Sequence, residues 1–326
     1  MRVFVTGGNG FIGSAVVREL STAGFDVVCL LRERSNTTRI DGLRFERVTG
    51  DVRDAASVRS GMTGCDRTVH LAAPGGWTQD DPSLLRDVIE RGARNVLEVA
   101  ADLPGHRVVI VSSTAAVNAS DTPRIFDERT EFTVPDQTLH YAQAKHRAEL
   151  LARAAHERGT PVVVVNPAEV YGPGDMELGA AGNLVDFAKS WPVLVCDGGT
   201  GIVHVDDVAA GIVAALERGR AGERYIFSGD NLTVRQLAAL TLELLGRRAP
   251  ILRIPNGVAR LVSRLGIALH VPLPYNPYVM PYATRYWFVD SAKARRELGV
   301  SFRGARETIT SALDWLQRAG HLRPTR

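Results

Sequence analysis

Tyr141 and Lys145 stand four residues apart in a stretch with helical periodicity, Tyr141–Arg158. A helix puts that phenol and that ammonium on one face, one turn apart. A free phenol titrates near ~10, too high for a base at neutral pH, and a neighbouring cation lowers that value. The pair can give a proton to a carbonyl oxygen as hydride reaches its carbon, or take the proton back in reverse. Ser112-Ser113-Thr114 follows the β-branched run Val108–Val111. A buried strand there leaves these hydroxyls at the carboxyl edge of a sheet, where Thr114 or Ser113 holds the same oxygen. The expected catalytic set is Ser113, Thr114, Tyr141 and Lys145.

A second pattern opens the chain. Thr6-Gly7-Gly8-Asn9-Gly10-Phe11-Ile12-Gly13 follows a strand at Val3–Val5 and begins a helix at Phe11–Ala23. Gly7 turns sharply, Gly10 lets backbone approach a phosphate, and Gly13 packs helix on strand. The helix start at Phe11 and Ile12 offers free N–H groups and a positive dipole end to a pyrophosphate. A strand at Asp26–Leu31 ends in Arg32-Glu33-Arg34. Arg32 in place of an acid can stack on adenine and bind a 2′-phosphate, which favours NADP over NAD. The alternative leaves Arg32 and Arg34 as surface charges with Glu33 on the ribose. Asp51-Val52 suits a carboxylate accepting from the adenine amino group; Asp51 or Asp54 serves equally as a helix cap. Lys145 would also hydrogen-bond the nicotinamide ribose.

These motifs need a parallel sheet to bring them to one edge. Strands at Leu43–Val48, Arg67–Leu71 and Val162–Val165 alternate with helices, including a long amphipathic one at Leu84–Ala101. The alternation predicts an α/β fold, a Rossmann-type doubly wound parallel sheet with a smaller C-terminal substrate lobe. The expected division is 1–172 for the dinucleotide domain, with a return segment 202–227, and 173–326 for the lobe. Within the lobe, Gly174–Thr200 reads as loop and helix with a short apolar run, Val193–Cys196. Val205–Arg218, Thr233–Leu245, Asp290–Leu298 and Gly304–Ala319 read as helices, Arg224–Phe227 as a strand, and Pro272–Pro281 as irregular.

The 326 residues are 45% hydrophobic, enough for this core, and 23% charged with a net charge of +3. That balance is too mild, and its basic residues too scattered, to imply nucleic acid. Cys29, Cys65 and Cys196 are widely spaced, without metal-ligand spacing, and read as free thiols of a reducing compartment. The short apolar start runs into the glycine turn, and no stretch suits a membrane span. The expectation is a cytoplasmic protein with no membrane partner and no metal.

Taken together the chain resembles the extended short-chain dehydrogenases/reductases. The matching residues are Thr6-Gly7-x-x-Gly10-x-x-Gly13, Asp51-Val52, His70-Leu-Ala-Ala73, Ser112-Ser-Thr114, Tyr141-x-x-x-Lys145, Asn166-Pro167-x-x-Val170-Tyr-Gly-Pro-Gly174 and His204-Val-Asp-Asp-Val208. They cover about two-thirds of the chain, in the family's order. The resemblance implies a Rossmann fold, a nicotinamide cofactor and Tyr141 as acid/base with Lys145 as partner. It places Leu71, Ala72, Ala73, Ser112, Pro167 and Val170 along the cofactor. It also implies a homodimer through Leu84–Ala101 and Tyr141–Arg158. His70-Leu-Ala-Ala-Pro74, Arg32 and Val117-Asn118 look most like the dihydroflavonol reductase branch. Gly179–Val208 is also similar to hopanoid-associated sugar epimerases.

Three departures narrow the activity. Dehydratases of this family carry Asp-Glu after Ser-Thr; here Ala115-Ala116 can do no acid/base work. Sugar-nucleotide epimerases place an arginine four residues before the histidine of His204-Val-Asp-Asp; here it is Thr200, with Arg285 or Arg295 as the remaining candidates. Ile89 stands where the family often has asparagine. Trp77, Trp191, Tyr275, Tyr278, Tyr282, Tyr286 and Trp287 make the substrate side aromatic, with Asn118, His140, Glu169 and Asp175 as polar candidates. Trp77, Asn118 and Glu169 are the expected substrate contacts. Asp206 reads as the cap of the following helix and His204 as a satisfied sheet residue. The expected function is an NADP-dependent carbonyl reductase or alcohol dehydrogenase acting on a small to medium, mostly uncharged molecule. The alternatives are an NAD-dependent sugar epimerase and a non-catalytic cofactor-binding regulator.

Overall fold

The structure is a computed structural model and describes residues 1–74, 81–270 and 277–323. The first half alternates as expected: β1 (Arg2–Thr6), α1 (Phe11–Thr22), β2 (Asp26–Leu31), β3 (Glu46–Thr49), α2 (Ala55–Met62), β4 (Arg67–His70), α3 (Pro82–Leu85), α4 (Gly92–Ala101) and β5 (Arg107–Val111). Next come β6 (Ile125–Phe126), α5 (His140–Glu157), β7 (Val162–Pro167), β8 (Glu169–Tyr171), α6 (Ala181–Lys189), β9 (Val193–Val195) and β10 (Gly199–His204). The chain continues through α7 (Val205–Arg218), β11 (Arg224–Phe227), β12 (Asn231–Thr233), α8 (Val234–Leu244), β13 (Ile251–Arg253) and α9 (Asn256–Leu269). It closes with α10 (Met280–Ala283), β14 (Tyr286–Val289), α11 (Ala292–Leu298) and α12 (Ala305–Arg318).

Seven parallel strands form the main sheet in the order β11-β7-β5-β4-β1-β2-β3. Side chains alternate across it. Val3, Val5, Val109 and Val163 point into a core with Val16 and Leu20 of α1 and Val208 and Ile212 of α7. Phe4, Val108, Ile110 and Val162 point the other way, against Val58 of α2, Val96 of α4 and Ala152 of α5. Burial on both faces explains why these strands are continuous β-branched runs rather than alternating ones. Strand order reverses between β1 and β4. Because every strand is parallel, the segments after β1, β4, β5 and β7 leave from one edge, where ligands of open α/β sheets bind.

A second sheet joins β12, β10, β14 and β6, with β8 pairing β10, and β13 pairs β9. Leu184, Ile202, Leu237, Ile309 and Leu313 fill a separate core there. Strand β10 escapes sequence reading because it begins Gly199-Thr-Gly201. A Cβ at Gly199 would lie 2.6 Å from Leu232 O, so packing, not propensity, selects glycine.

Several boundaries differ from expectation. The helix expected at Leu84–Ala101 starts at Pro82, because Asp81 accepts from the Ser83 and Leu84 amides and proline suits a first turn. A single π-helical turn, Arg86–Arg91, separates α3 from α4. The strand expected at Leu43–Val48 lies at Glu46–Thr49, and β14 precedes the helix expected from Asp290. Within the stretch expected to be irregular, Pro277–Val279 is a 3₁₀ turn and Met280–Ala283 is α10.

His204, not Asp206, caps α7. Its Nδ1 accepts from the Asp206 amide at 3.1 Å and lies 2.7 Å from Arg303 Nη1, while Nε2 meets Ser311 Oγ at 3.1 Å. Burial and the Arg303 charge lower its pKa, so the ring stays neutral and Nδ1 accepts. A cap must sit in extended backbone before the helix, as His204 does, whereas Asp206 is already in the first turn. His204→Ala should therefore destabilise the fold by about 1–3 kcal/mol, combining a lost cap with lost packing. Asp206→Asn should stay within about 0.5 kcal/mol. Urea unfolding of both variants distinguishes the two roles.

Candidate active site

Each motif is held from beneath. Gly7 has φ +72°, and a Cβ there would lie 2.9 Å from Ala72 N; one at Gly13 would lie 2.0 Å from Gly7 O. No side chain caps α1, so its first amides stay open to an anion. Thr6 Oγ1 accepts from Ala72 N at 3.3 Å and lies 2.7 Å from His70 Nδ1. Burial, reinforced by the Lys145 charge, drives the His70 pKa down to about 3, so this imidazole is neutral and shares a hydrogen bond with the threonine hydroxyl. Leu71, Ala72 and Ala73 follow, half-buried.

At the far end of the edge, Arg32 is exposed just past β2. Asp51 accepts from Arg53 Nε at 3.0 Å and Arg53 Nη2 at 2.8 Å. Its pKa is lowered chiefly by that Arg53 hydrogen bond, with a smaller contribution from the Arg32 charge. Asp54, rather than Asp51, caps α2 through the Ala56 and Ser57 amides. Asn95 Nδ2 donates to Val52 O at 2.7 Å and fixes the loop. One residue that sequence reading missed is Arg39. Its Nε donates to Gly174 O at 2.9 Å and its Nη1 to Asn9 O at 3.4 Å, while Nη2 pairs with Glu177. It ties the glycine turn to the loop after β8. A lone arginine in a polar loop carries no spacing signal.

Tyr141 and Lys145 both lie on α5, whose Ala144, Ala148 and Ala152 are buried against the body. Lys145 is 5% exposed and its Nζ donates to Val111 O at 2.8 Å. Burial lowers its pKa to about 8, against the upward pull of Glu149. Burial pushes the Tyr141 phenol up to about 12, against a hydrogen bond with the Ser113 side chain. Ser113, rather than Thr114, therefore meets the phenol, while Ser113 Oγ also accepts from Ala115 N at 3.2 Å. Thr114 is buried at the start of a 3₁₀ turn. Ser112 Oγ donates to Glu149 Oε1 at 2.5 Å. Asn166 Nδ2 donates to Glu149 Oε1 at 2.6 Å and Ser113 O at 2.9 Å. Glu149 and Asn166 complete a buried network that the Tyr/Lys spacing alone did not reveal. Glu149 lies one further turn along the same face.

The aromatic residues divide. Tyr282 and Trp287 stack with centroids 5.6 Å apart and share a cluster with Ala115, Leu139 and Tyr141. Trp191 is 66% exposed. Asn118 is buried, its amide donating to Glu131 O and Thr133 Oγ1 at 3.0 Å each. Asp175 accepts from the Gly179 and Ala181 amides. Trp77 and Tyr275 lie outside the described residues.

A model of the NAD dependent epimerase/dehydratase family matches residues 3–227. The chain is 29% identical to a dihydroflavonol 4-reductase-like protein of Synechocystis, over 98% of this chain and 96% of that one. It is 31% identical to a 4-hydroxy-2-methyl-3-oxo-4-farnesyl-3,4-dihydroquinoline-1-oxide ketoreductase of Stigmatella aurantiaca, over 98% and 97%. The dTDP-glucose 4,6-dehydratase of Streptomyces venezuelae, solved with NAD bound, superposes with a TM-score of 0.77 at 25% identity, covering 100% of each chain. The chain belongs to the NAD dependent epimerase/dehydratase family. It is an extended short-chain dehydrogenase/reductase, with a nicotinamide cofactor and oxidoreduction as its chemistry.

The residues present fit a nicotinamide dinucleotide: a turn with no space for side chains at Gly7 and Gly13, an uncapped helix start, and an open strand edge between them and Tyr141. The residues at three family positions can be placed. Ala115 and Ala116 are buried and carry no acid. Arg285 is committed to Asp136 at 2.8 Å, and Arg295 donates to Ser228 O at 3.2 Å and lies over the Phe302 ring. Neither stands in for the arginine missing at Thr200. Ile89 is buried with Leu85, Ala93, Ala144 and Ala148, against Ala73 and Tyr141, so an apolar contact replaces the family's amide. Among the described residues, no group of His, Cys, Asp or Glu is arranged to hold a metal, and no helix is long and apolar enough to cross a membrane.

Glu169 lies two residues beyond β7, hydrogen-bonded to Tyr171 and receiving Asn183 Nδ2 at 3.2 Å. Burial pushes its carboxyl from 4.5 up to about 7. The folded protein therefore holds that proton longer than the unfolded chain. Its contribution to stability is complete below 4.5 and is lost as pH rises through 7. Between about pH 5 and about pH 8, wild type should lose up to about 3 kcal/mol more than Glu169→Gln. Urea unfolding at both pH values checks this; parallel losses would show that the carboxyl is not strained.

Proposed function

We propose that the protein is an NADP(H)-dependent carbonyl reductase, and in reverse a secondary-alcohol dehydrogenase, for a small to medium, mostly uncharged molecule. The observation that carries this reading is the Ser113–Tyr141 hydrogen bond beside the buried Lys145 ammonium, with only alanines where a second acid or base would stand. Two relatives support it by name, one a dihydroflavonol reductase-like protein and one a ketoreductase of a farnesyl-bearing quinoline oxide. Residues 1–172 with 202–227 hold the cofactor, and 173–326 supply most of the substrate wall.

A nicotinamide bound along the sheet edge supplies hydride to the reacting carbon or takes it up. Ser113 and Tyr141 hydrogen-bond the carbonyl oxygen and orient it. At rest the raised phenol pKa keeps Tyr141 protonated, as a donor must be. Its proton passes to the oxygen as negative charge develops there. Lys145 then stabilises the phenolate left behind. One ammonium N–H is held by Val111 O, leaving the others for the phenol side and a ribose hydroxyl. Tyr282 and Trp287 make the adjoining wall apolar. Arg32 provides the cation for a 2′-phosphate.

The test follows absorbance of the reduced nicotinamide against a panel of carbonyl compounds. Tyr141→Phe should lower kcat by roughly 10²–10⁴-fold with cofactor affinity nearly intact. Lys145→Ala should damage both, and Thr114→Val should cost less than either. kcat/KM for reduction should fall as pH rises through about 8, where Lys145 loses its proton. Full activity in Tyr141→Phe would move the acid to Glu169 or His140.

Cofactor choice is tested separately. Arg32→Asp should weaken NADPH binding by about 1–3 kcal/mol with little change for NADH. Equal losses by calorimetric titration would remove Arg32 from the phosphate site. UDP- and TDP-sugars should give no thermal stabilisation at millimolar concentration, since a ligand of the native state must raise Tm. Stabilisation by one of them, with bound nicotinamide and no net NADPH consumption, would establish the epimerase reading instead.

A further inference from the structure

Between Glu243 and Asp290 the chain has no acidic residue, but it holds Arg247, Arg248, Arg253, Arg260, Arg264 and Arg285. The whole chain has 39 basic and 36 acidic residues, so without these six the balance is 33 to 36. A net +3 is therefore +6 in this stretch and −3 everywhere else. In the fold Arg253, Arg260 and Arg285 meet Asp197, Asp121 and Asp136, and Arg264 stays exposed.

Helix α9 lies in the middle of that stretch and has three sides. At 100° per residue, Ala259, Ser263 and Gly266 share the side buried against the body. Val258, Leu261, Val262, Leu265 and Leu269 form a second stripe, and they are 50%, 56%, 40%, 50% and 67% exposed. Arg260 and Arg264 stand one turn apart on the third side. Arg260 holds Thr284 O at 2.9 Å, at the end of α10, and pairs with Asp121 at 3.4 Å, whereas Arg264 is exposed. Five branched apolar side chains on one exposed stripe form a patch of the kind that marks an interaction surface.

We propose that α9 is a peripheral membrane helix that lies in the interface of an anionic lipid bilayer. Its leucine-rich stripe enters the acyl boundary and the exposed Arg264 on its third side meets a phosphate head group. Charge decides the occupant. A second copy of this helix would bring its own Arg264 against this one, with no carboxylate on either α9 to answer it. An anionic bilayer offers both an apolar layer and negative charge at the geometry of a three-sided helix. The lack of a spanning helix bears only on crossing a membrane; lying on one needs a single apolar stripe. The surface is also close to the site. Arg260 fixes α9 to the end of α10, and Tyr282 of α10 reaches the catalytic helix, its Oη accepting from Ala142 N at 3.4 Å. The proposal stands whether or not the protein is a reductase.

The experiment is flotation of the full-length protein with vesicles of phosphatidylcholine alone and of phosphatidylcholine with phosphatidylglycerol. The protein should float with the anionic vesicles, less with the neutral ones, and added salt should weaken the binding. Leu261→Glu with Leu265→Glu should reduce partitioning about tenfold or more, with melting temperature and NADPH binding unchanged because both positions are exposed. Leu261→Ser with Leu265→Ser is the uncharged control and should also reduce it. Arg264→Glu should reduce binding to the anionic vesicles alone. Absence of flotation with anionic vesicles, or flotation unchanged in both double variants, overturns the proposal. So does a wild-type dimer that the double variants convert to monomer without any vesicle binding, which would give the stripe to a second copy.

Discussion

The site depends on one buried cation. Lys145 sits between α5 and the end of β5 with little access to water, and an isolated ammonium there is costly. The surrounding groups answer that cost. Val111 O accepts one proton, and the Glu149 carboxylate holds the Lys145 charge against the effect of burial. Glu149 is itself buried; burial raises its pKa, while Arg224, Ser112 and Asn166 lower it. The second of Asn166's hydrogen bonds goes to Ser113 O, and the Ser113 side chain meets the Tyr141 phenol. One chain of contacts thus runs from the buried Lys145 ammonium to the Ser113 hydroxyl that meets the phenol. Removing any link leaves a buried charge or polar group unpaired, which is why the network is a positioning device as well as an electrostatic one.

Much of this follows from small residues. Helix α5 approaches the sheet because Ala144, Ala148, Ala152 and Ala155 face inward, and Ile89 and Ala93 fit against the first two. The π turn at Arg86–Arg91 leads directly into α4, and Ile89 within it is buried against Tyr141. Such turns are frequent at functional sites because the extra residue re-aims one side chain without ending the helix. Here the re-aimed residue is apolar, so it packs beside the ring and offers it no hydrogen bond.

The sheet and the reactive pair were legible because both follow local rules. Val108–Val111 and Val162–Val165 have the composition of doubly buried strands, and Tyr141 and Lys145 have helical spacing. What stayed hidden depends on distant packing. Strand β10 begins with glycines that only the neighbouring strands explain. The cap of α7 reads as Asp206 because aspartate is a common cap, although the preceding extended residue, His204, holds its ring where the amide points. Glu149, four residues past Lys145, looks like an ordinary helix surface charge until β5 and β7 enclose it. Helix α9 hid for the opposite reason: its small residues face in and its branched residues face out, inverting the pattern by which amphipathic helices are read.

The arginines of the second lobe separate this site from its sugar-nucleotide relatives in a physical sense. A diphosphate needs cations that are free to meet it. Arg253 is paired with Asp197, Arg260 with the end of α10, Arg285 with Asp136, and Arg295 with Ser228 O and the Phe302 ring. Each of these contacts joins parts of the protein to one another. Arg285 is the most telling, because Asp136 lies in the loop that leads into α5, just before Tyr141. Its guanidinium fastens the segment carrying Tyr282 and Trp287 beside Tyr141. Turning it outward would unpair Asp136 and loosen the aromatic wall together.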